Sequence, residues 1–265
     1  MYKKVIYTLS VLLSLSTFCT ASQFKSSNVE KKYFLKNELE IDEKLKQNLR
    51  FGFSSTTGNT ETMYFNGRYT LSFTQSGYRD LPLKFSLLSN AYFNKSKNKK
   101  RNEEYLIDVG LEQALYRKWL GYMFARWLKS PNIQKYNHKI SANFGIGNKI
   151  IDNGNHSLKI KIGIAHHAEN YSTDKDTKRY ESLNEYIEYH NKINENSDIN
   201  IKLGTIQNLS DLSNDYEMLG VIGFDFAISK NIRLTIEEEL HYEAIPTEGL
   251  EKLNSKSLMS LGYLF

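Results

Sequence analysis

Residues 231–244 read NIRLTIEEELHYEA, and the two faces of this stretch have opposite chemistry. The even positions are Ile232, Leu234, Ile236, Glu238, Leu240, Tyr242 and Ala244. The odd positions are Arg233, Thr235, Glu237, Glu239, His241 and Glu243. A repeat of two residues is the period of a β-strand, whose side chains point alternately to opposite faces. One face is almost wholly apolar, and the other carries charge at nearly every step. The pattern recurs at Leu158–Ile164, where Lys159 and Lys161 oppose Leu158, Ile160, Ile162 and Ile164. It recurs again at Ile140–Ile146, with Lys139, Ser141, Asn143 and Gly145 on the polar side.

Carried along the chain, the alternation marks about twelve segments: 46–57, 60–75, 81–94, 103–116, 119–129, 135–151, 156–169, 181–193, 197–208, 214–228, 231–245 and 255–265. Residues 181–193, ESLNEYIEYHNKI, fit least well and also read as partly helical or loop. Most segments run about 11–16 residues, against a mean near 5–6 in soluble proteins. A bilayer is crossed by roughly 9–11 residues tilted about 45°. With both chain ends on one side, the turns on that side are short: 76–80, 117–118, 152–155, 194–196 and 229–230. The opposite connections are mostly longer, the tight TTGN at 56–59 excepted. Short turns on one rim and longer loops on the other are the habit of outer-membrane barrels. The expected fold is therefore all-β, a closed antiparallel transmembrane barrel of about twelve strands.

The other end of the chain agrees. Met1–Ser22 has Lys3 and Lys4, an apolar run from Val5 to Leu15, and then small residues. This is a secretory signal with cleavage expected near Ala21 or Ser22, and its apolar run is too short for a permanent helical span. The single cysteine, Cys19, leaves with it, so no disulfide framework is expected. The formal charge of +5 falls to about +3 without the two lysines, too mild to argue for nucleic acid. Residues 23–45 form a charged leader, read as periplasmic and flexible, with a plug inserted in the barrel as the sharper alternative. The barrel takes 46–265. A mean hydropathy of −0.52 looks soluble, but a strand with one apolar and one polar face averages to neutral.

A soluble sandwich or lipocalin-like barrel alternates too, with its apolar side inward. Strand length, the signal and the final strand favour the membrane. In Met259, Leu261, Tyr263 and Phe265 the chain resembles the C-terminal signature that outer-membrane proteins present to their assembly machinery. The expected location is the cell outer membrane, and the expected partners are its lipid and that machinery.

Residues 49–73, LRFGFSSTTGNTETMYFNGRYTLSF, carry a wider resemblance, centred on the Gly58-Asn59-Thr60 hairpin. GYMFARW at 121–127, the stretch from His138 to Gly163, and the closing HYEAIPTEGLEKLNSKSLMSLGYLF add to it. On these the chain resembles the salt-induced outer-membrane protein family of the YdiY type, a domain of unknown function. The likeness runs from about residue 46 to 265. It implies an outer-membrane location and a link to osmotic or salt stress, with no agreed reaction.

The polar rows should line the lumen. The candidate charge network is Lys139, Lys149, Lys159 and Lys161 on one wall, and Asp225, Arg233, Glu237, Glu239 and His241 on another. Arg50, Arg68, Arg126, Asp108 and Glu112 also fall on inward rows. Twelve strands enclose a narrower bore than the 16–18 of an open porin. Opposed charges would either fill it with ion pairs or line a small path. Six histidines invite an enzyme reading, but no strand carries a serine and a histidine on one face within reach, as an activated nucleophile requires. His167 and Glu169 share a face near the outer rim, yet a metal site of His167, Glu169 and His241 is not assigned, because three ligands at bonding distance cannot be assembled from spacing alone. No catalytic residue, metal or cofactor is assigned, and the oligomeric state carries no signal. The leading reading is a narrow charged conduit or structural envelope component. The alternative is an outer-membrane hydrolase acting on lipid, such as a lipid A deacylase or phospholipase.

Overall fold

The computed structural model describes residues 45–57, 62–94, 102–131, 134–172, 177–247 and 249–265. The Gly58-Asn59-Thr60 hairpin, the signal segment and nearly all of the leader lie outside them. Twelve strands follow in order: β1 (Lys46–Thr57), β2 (Thr62–Ser76), β3 (Pro82–Asn94), β4 (Asn102–Tyr116), β5 (Trp119–Ser130), β6 (Tyr136–Asp152), β7 (His156–Tyr171), β8 (Lys178–Asn194), β9 (Ser197–Asn208), β10 (Tyr216–Ala227), β11 (Ile232–Glu243) and β12 (Leu253–Leu264). Each pairs antiparallel with its chain neighbours, and β1 pairs with β12 to close the barrel. The doubtful 181–193 is strand throughout, as part of β8.

Closure settles which face looks where. On β6, Phe144 is 58% exposed while Asn143 beside it is 2% exposed; on β11, Ile236 is 46% exposed and Thr235 2%. That inverts the ordinary distribution, in which large apolar groups are inside and charges outside. A soluble barrel with the same sequence would have to turn its lysines outward. An apolar belt around a closed sheet suits hydrocarbon, because closure leaves no backbone donor or acceptor unpaired toward the lipid. The outward carboxylates of Glu238 and Glu185 interrupt the belt, and each has a hydroxyl partner on the next strand. Ser257 Oγ donates to Glu238, and Thr205 Oγ1 donates to Glu185 over 3.1 Å.

The rim where β1 starts and β12 ends carries the tight turns. Gly154 sits at φ +84° in the 152–155 turn, and Arg117 takes φ +52° in the turn between β4 and β5. Register irregularities fall near the strand ends, at 114–116, 128–130, 136–138, 149–151 and 192–194. Rim bulges absorb a residue without turning a whole strand over. Mid-barrel, Gly145 and Gly163 face each other across β6 and β7. A Cβ on Gly145 would stand 2.6 Å from the Gly163 Cα, so only glycine lets these strands close up.

Candidate functional site: a charge-bridged lumen

Alternation delivers the inward rows, and closure then brings rows from distant strands together. On the side of the rim with the tight turns, Lys159 and Lys161 of β7 reach Glu112 of β4, passing over β5 and β6. Lys159 Nζ donates to Glu112 Oε2 over 2.9 Å, and Lys161 Nζ donates to Glu112 Oε1. Lys161 also donates to Glu188 of β8 over 2.9 Å, and Lys159 lies 3.8 Å from that carboxylate. Two ammoniums and two carboxylates thus alternate in a closed quartet. It rests on Tyr122, whose ring centroid is 5.4 Å from Lys161 Nζ.

A second bridge lies on the opposite wall. Arg68 of β2 donates to Glu237 Oε1 over 2.9 Å and to Glu239 Oε1 over 3.1 Å, both on β11. Lys256 of β12 crosses the lumen to Glu104 of β4 over 2.6 Å and sits 4.0 Å from the centre of the Tyr92 ring. Asp108 and Arg126 form a bidentate pair at 2.7 and 2.8 Å on neighbouring strands. Tyr186 accepts from Asn143 and Asn184 at 3.4 and 3.3 Å, placing an aromatic ring in the bore.

Near the other rim, Lys139 of β6 bridges Glu169 Oε1 of β7 at 2.8 Å and Glu217 Oε1 of β10 at 2.9 Å. Tyr180 donates to Glu169 over 2.9 Å, and its hydroxyl oxygen lies 3.3 Å from Glu217 Oε1. His241 Nε2 lies 3.0 Å from Glu217 Oε2 and 3.6 Å from Glu243 Oε1.

Beside this cluster a serine–histidine contact exists, although no single strand holds one. Ser141 and His167 are register partners on β6 and β7. Ser141 Oγ is 2.8 Å from His167 Nδ1, and Ser182 Oγ of β8 is 2.7 Å from His167 Nε2. Ser182 spends its proton on Asn184 Oδ1 over 2.6 Å. It must therefore accept from Nε2–H, leaving Nδ1 to accept from Ser141. The imidazole is stacked on Tyr180 at 4.7 Å, and Ser141 and His167 are each 2% exposed. The base of such a nucleophile is ordinarily oriented by a carboxylate or an amide, and here that place is held by the Ser182 hydroxyl. The trio packs the wall and gives the hydrolase reading no support.

Of the candidate residues, Lys139, Lys159, Lys161, Glu237, Glu239 and His241 all belong to these networks. The basic residues of β6 and β7 do not meet Glu237 and Glu239; each group has other partners. Asp225 is held by Thr235 Oγ1 at 2.5 Å and Asn200 Nδ2 at 3.1 Å, with Arg50 3.7 Å away. Arg233 meets Asp198 at 3.2 Å. Lys149 lies apart from the network at the tight-turn rim, paired with Asp152 at 3.0 Å. Sequence reasoning missed Glu188, Glu217, Lys256, Glu104 and Asp198, which supply most of the partners. Each lies on an inward row, so alternation could have found the residue, though not its mate.

The family described as "Protein of unknown function, DUF481" matches residues 49–265. No curated protein is significantly similar in sequence. Among solved structures, the chain is similar to the NanC porin, with a TM-score of 0.53 and 11% identity over 82% of this chain and 99% of that one. It is also similar to the COG4313 outer membrane channel from Pseudomonas putida F1, with a TM-score of 0.51 and 9% identity over 83% and 95% of the two chains. At these identities the likeness is one of fold, the closed outer-membrane-type barrel.

Proposed function

The chain belongs to the DUF481 family, and on that premise we propose that it is an outer-membrane barrel whose lumen is a narrow, ion-pair-bridged conduit for small ions. The carrying observation is the set of bridges between non-neighbouring strands, Lys139 to Glu217, Lys256 to Glu104 and Lys161 to Glu112. An inert barrel could be filled with apolar side chains, whereas this one keeps charged walls along its length. Bridges that cross the bore narrow it, so on this reading it passes small ions and obstructs anything sugar-sized. The exposed apolar belt supports residence in a bilayer, and Met259, Leu261, Tyr263 and Phe265 support recognition by the assembly machinery. The resemblance to salt-induced proteins supports a role under osmotic or salt stress.

The test is single-channel recording of the refolded protein in a planar bilayer, with folding checked by heat-modifiable gel mobility. Small discrete steps are expected, with ion selectivity that changes when Lys159, Lys161, Glu237 and Glu239 are neutralised. Liposomes carrying the protein should stay closed to disaccharides. A silent bilayer containing folded protein would overturn the conduit and leave a sealed structural barrel.

A further inference from the structure

We propose that Glu217, His241 and Glu243 form a binding site for a first-row divalent transition cation near the lumen's loop-side rim. The site goes beyond the conduit reading and stands or falls separately from it.

Register supplies the first reason. Glu217 of β10 and Glu243 of β11 are direct cross-strand partners, both facing the lumen. Like charges placed opposite each other on one face are destabilising. His241, one inward step along β11, puts Nε2 beside both, 3.0 Å from Glu217 Oε2 and 3.6 Å from Glu243 Oε1. One ligand atom from each of the three lies within 4.8 Å of the others. A tetrahedral ion with bonds of roughly 2.1 Å needs donor separations of about 3.4 Å, and the two histidine distances bracket that value.

Orientation supplies the second. The other oxygen of Glu217, Oε1, is occupied by Lys139 at 2.9 Å and by the Tyr180 hydroxyl at 3.3 Å. Those contacts turn Oε2 toward His241 and fix it there, as outer partners of metal-bound carboxylates do. Charge supplies the third. With a neutral imidazole, the cluster holds one cation, Lys139, paired with Glu169 and Glu217, and a third carboxylate, Glu243, beside His241. The two negative charges left over are what one divalent cation cancels. An imidazole with two carboxylates suits Zn²⁺ and its neighbours, whereas Ca²⁺ and Mg²⁺ prefer oxygen alone. The three side chains leave a fourth position for water.

The experiment is Zn²⁺ titration of untagged, refolded protein by calorimetry, repeated with Co²⁺ to read the ligand-field spectrum. One ion per chain is expected, with a tetrahedral or five-coordinate cobalt spectrum. His241→Ala and Glu243→Gln should each weaken binding by about 100-fold or more, since each removes a ligand. His166→Ala should leave it unchanged, because His166 pairs with Glu181 in an exposed position. All variants are checked for folded gel mobility, and Glu243→Gln, which keeps the side chain's shape, guards against a misfolded His241→Ala. Absence of stoichiometric binding, survival of binding in both site variants, or its loss in His166→Ala would overturn the site. Conductance plays no part in the readout, so a silent channel that binds Zn²⁺ would sink only the conduit.

Discussion

Replacing Glu112 by Gln keeps the shape of the side chain and removes one negative charge from the quartet. Lys159 and Lys161 would then share Glu188 alone, at 3.8 and 2.9 Å. Their side chains are 2% and 10% exposed, so water cannot readily replace the lost carboxylate. Breaking a buried pair by removing one partner costs about 3–5 kcal/mol. Glu112 itself is 16% exposed, which places the expectation at the low end, about 3 kcal/mol, or somewhat over a hundredfold in the folding equilibrium. The partner test is Lys161→Met in the same chain, which removes one ammonium along with the carboxylate. That double variant should be more stable than Glu112→Gln alone, with a coupling energy of roughly 1.5–3 kcal/mol. The assay is reversible urea unfolding from lipid vesicles, followed by the emission of Trp119 and Trp127 on the outward face of β5. Stability of Glu112→Gln within about 0.5 kcal/mol of the wild type, or a double variant equal to the sum of its parts, would refute the view that these bridges hold the lumen.

Two further expectations test the walls. Gly145→Ala should reduce the yield of heat-modifiable barrel sharply, because its Cβ would meet the Gly163 backbone at 2.6 Å. Gly67→Ala, where the nearest atoms are ring carbons of Phe51 at 3.6 Å, should fold normally, and equal yields for the two would contradict the close approach. Ile236→Lys should destabilise the vesicle-embedded barrel by about 2–4 kcal/mol, while Leu253→Lys at the strand end should cost only about 0–1. Equal costs, measured by the same unfolding assay, would argue against a lipid-facing belt centred near Ile236.

The strands were legible because each carries its own evidence. A row such as Ile232, Leu234, Ile236 needs no knowledge of its neighbours to be read as one face. β8 was harder because Glu181 and Glu185 interrupt its outward row of Leu183, Ile187 and Tyr189. Cross-strand partners help explain their presence: Glu185 accepts from Thr205, and Glu181 meets His166 at 3.2 Å. A segment taken alone cannot show a partner supplied by the next strand.

Pairing across the lumen was illegible for a stricter reason. The contact between Ser141 and His167 depends on the register of β6 against β7. Counting outward from the turn through Asp152 and Ser157, which are partners, puts Ser141 opposite Ala168, one position off. The bulge between Lys149 and Ile151 removes that offset. It was deducible in principle: Lys149 and Lys159 can both face inward as partners only if one residue is absorbed between them and the turn. Bridges such as Lys139 to Glu217 or Lys256 to Glu104 need more, because they depend on the summed stagger of every intervening pair around the barrel. A single misjudged bulge anywhere on that arc moves the partner by one residue, from the lumen to the lipid face. Local alternation therefore fixes which charges are inside, while closure of the whole sheet decides which of them meet.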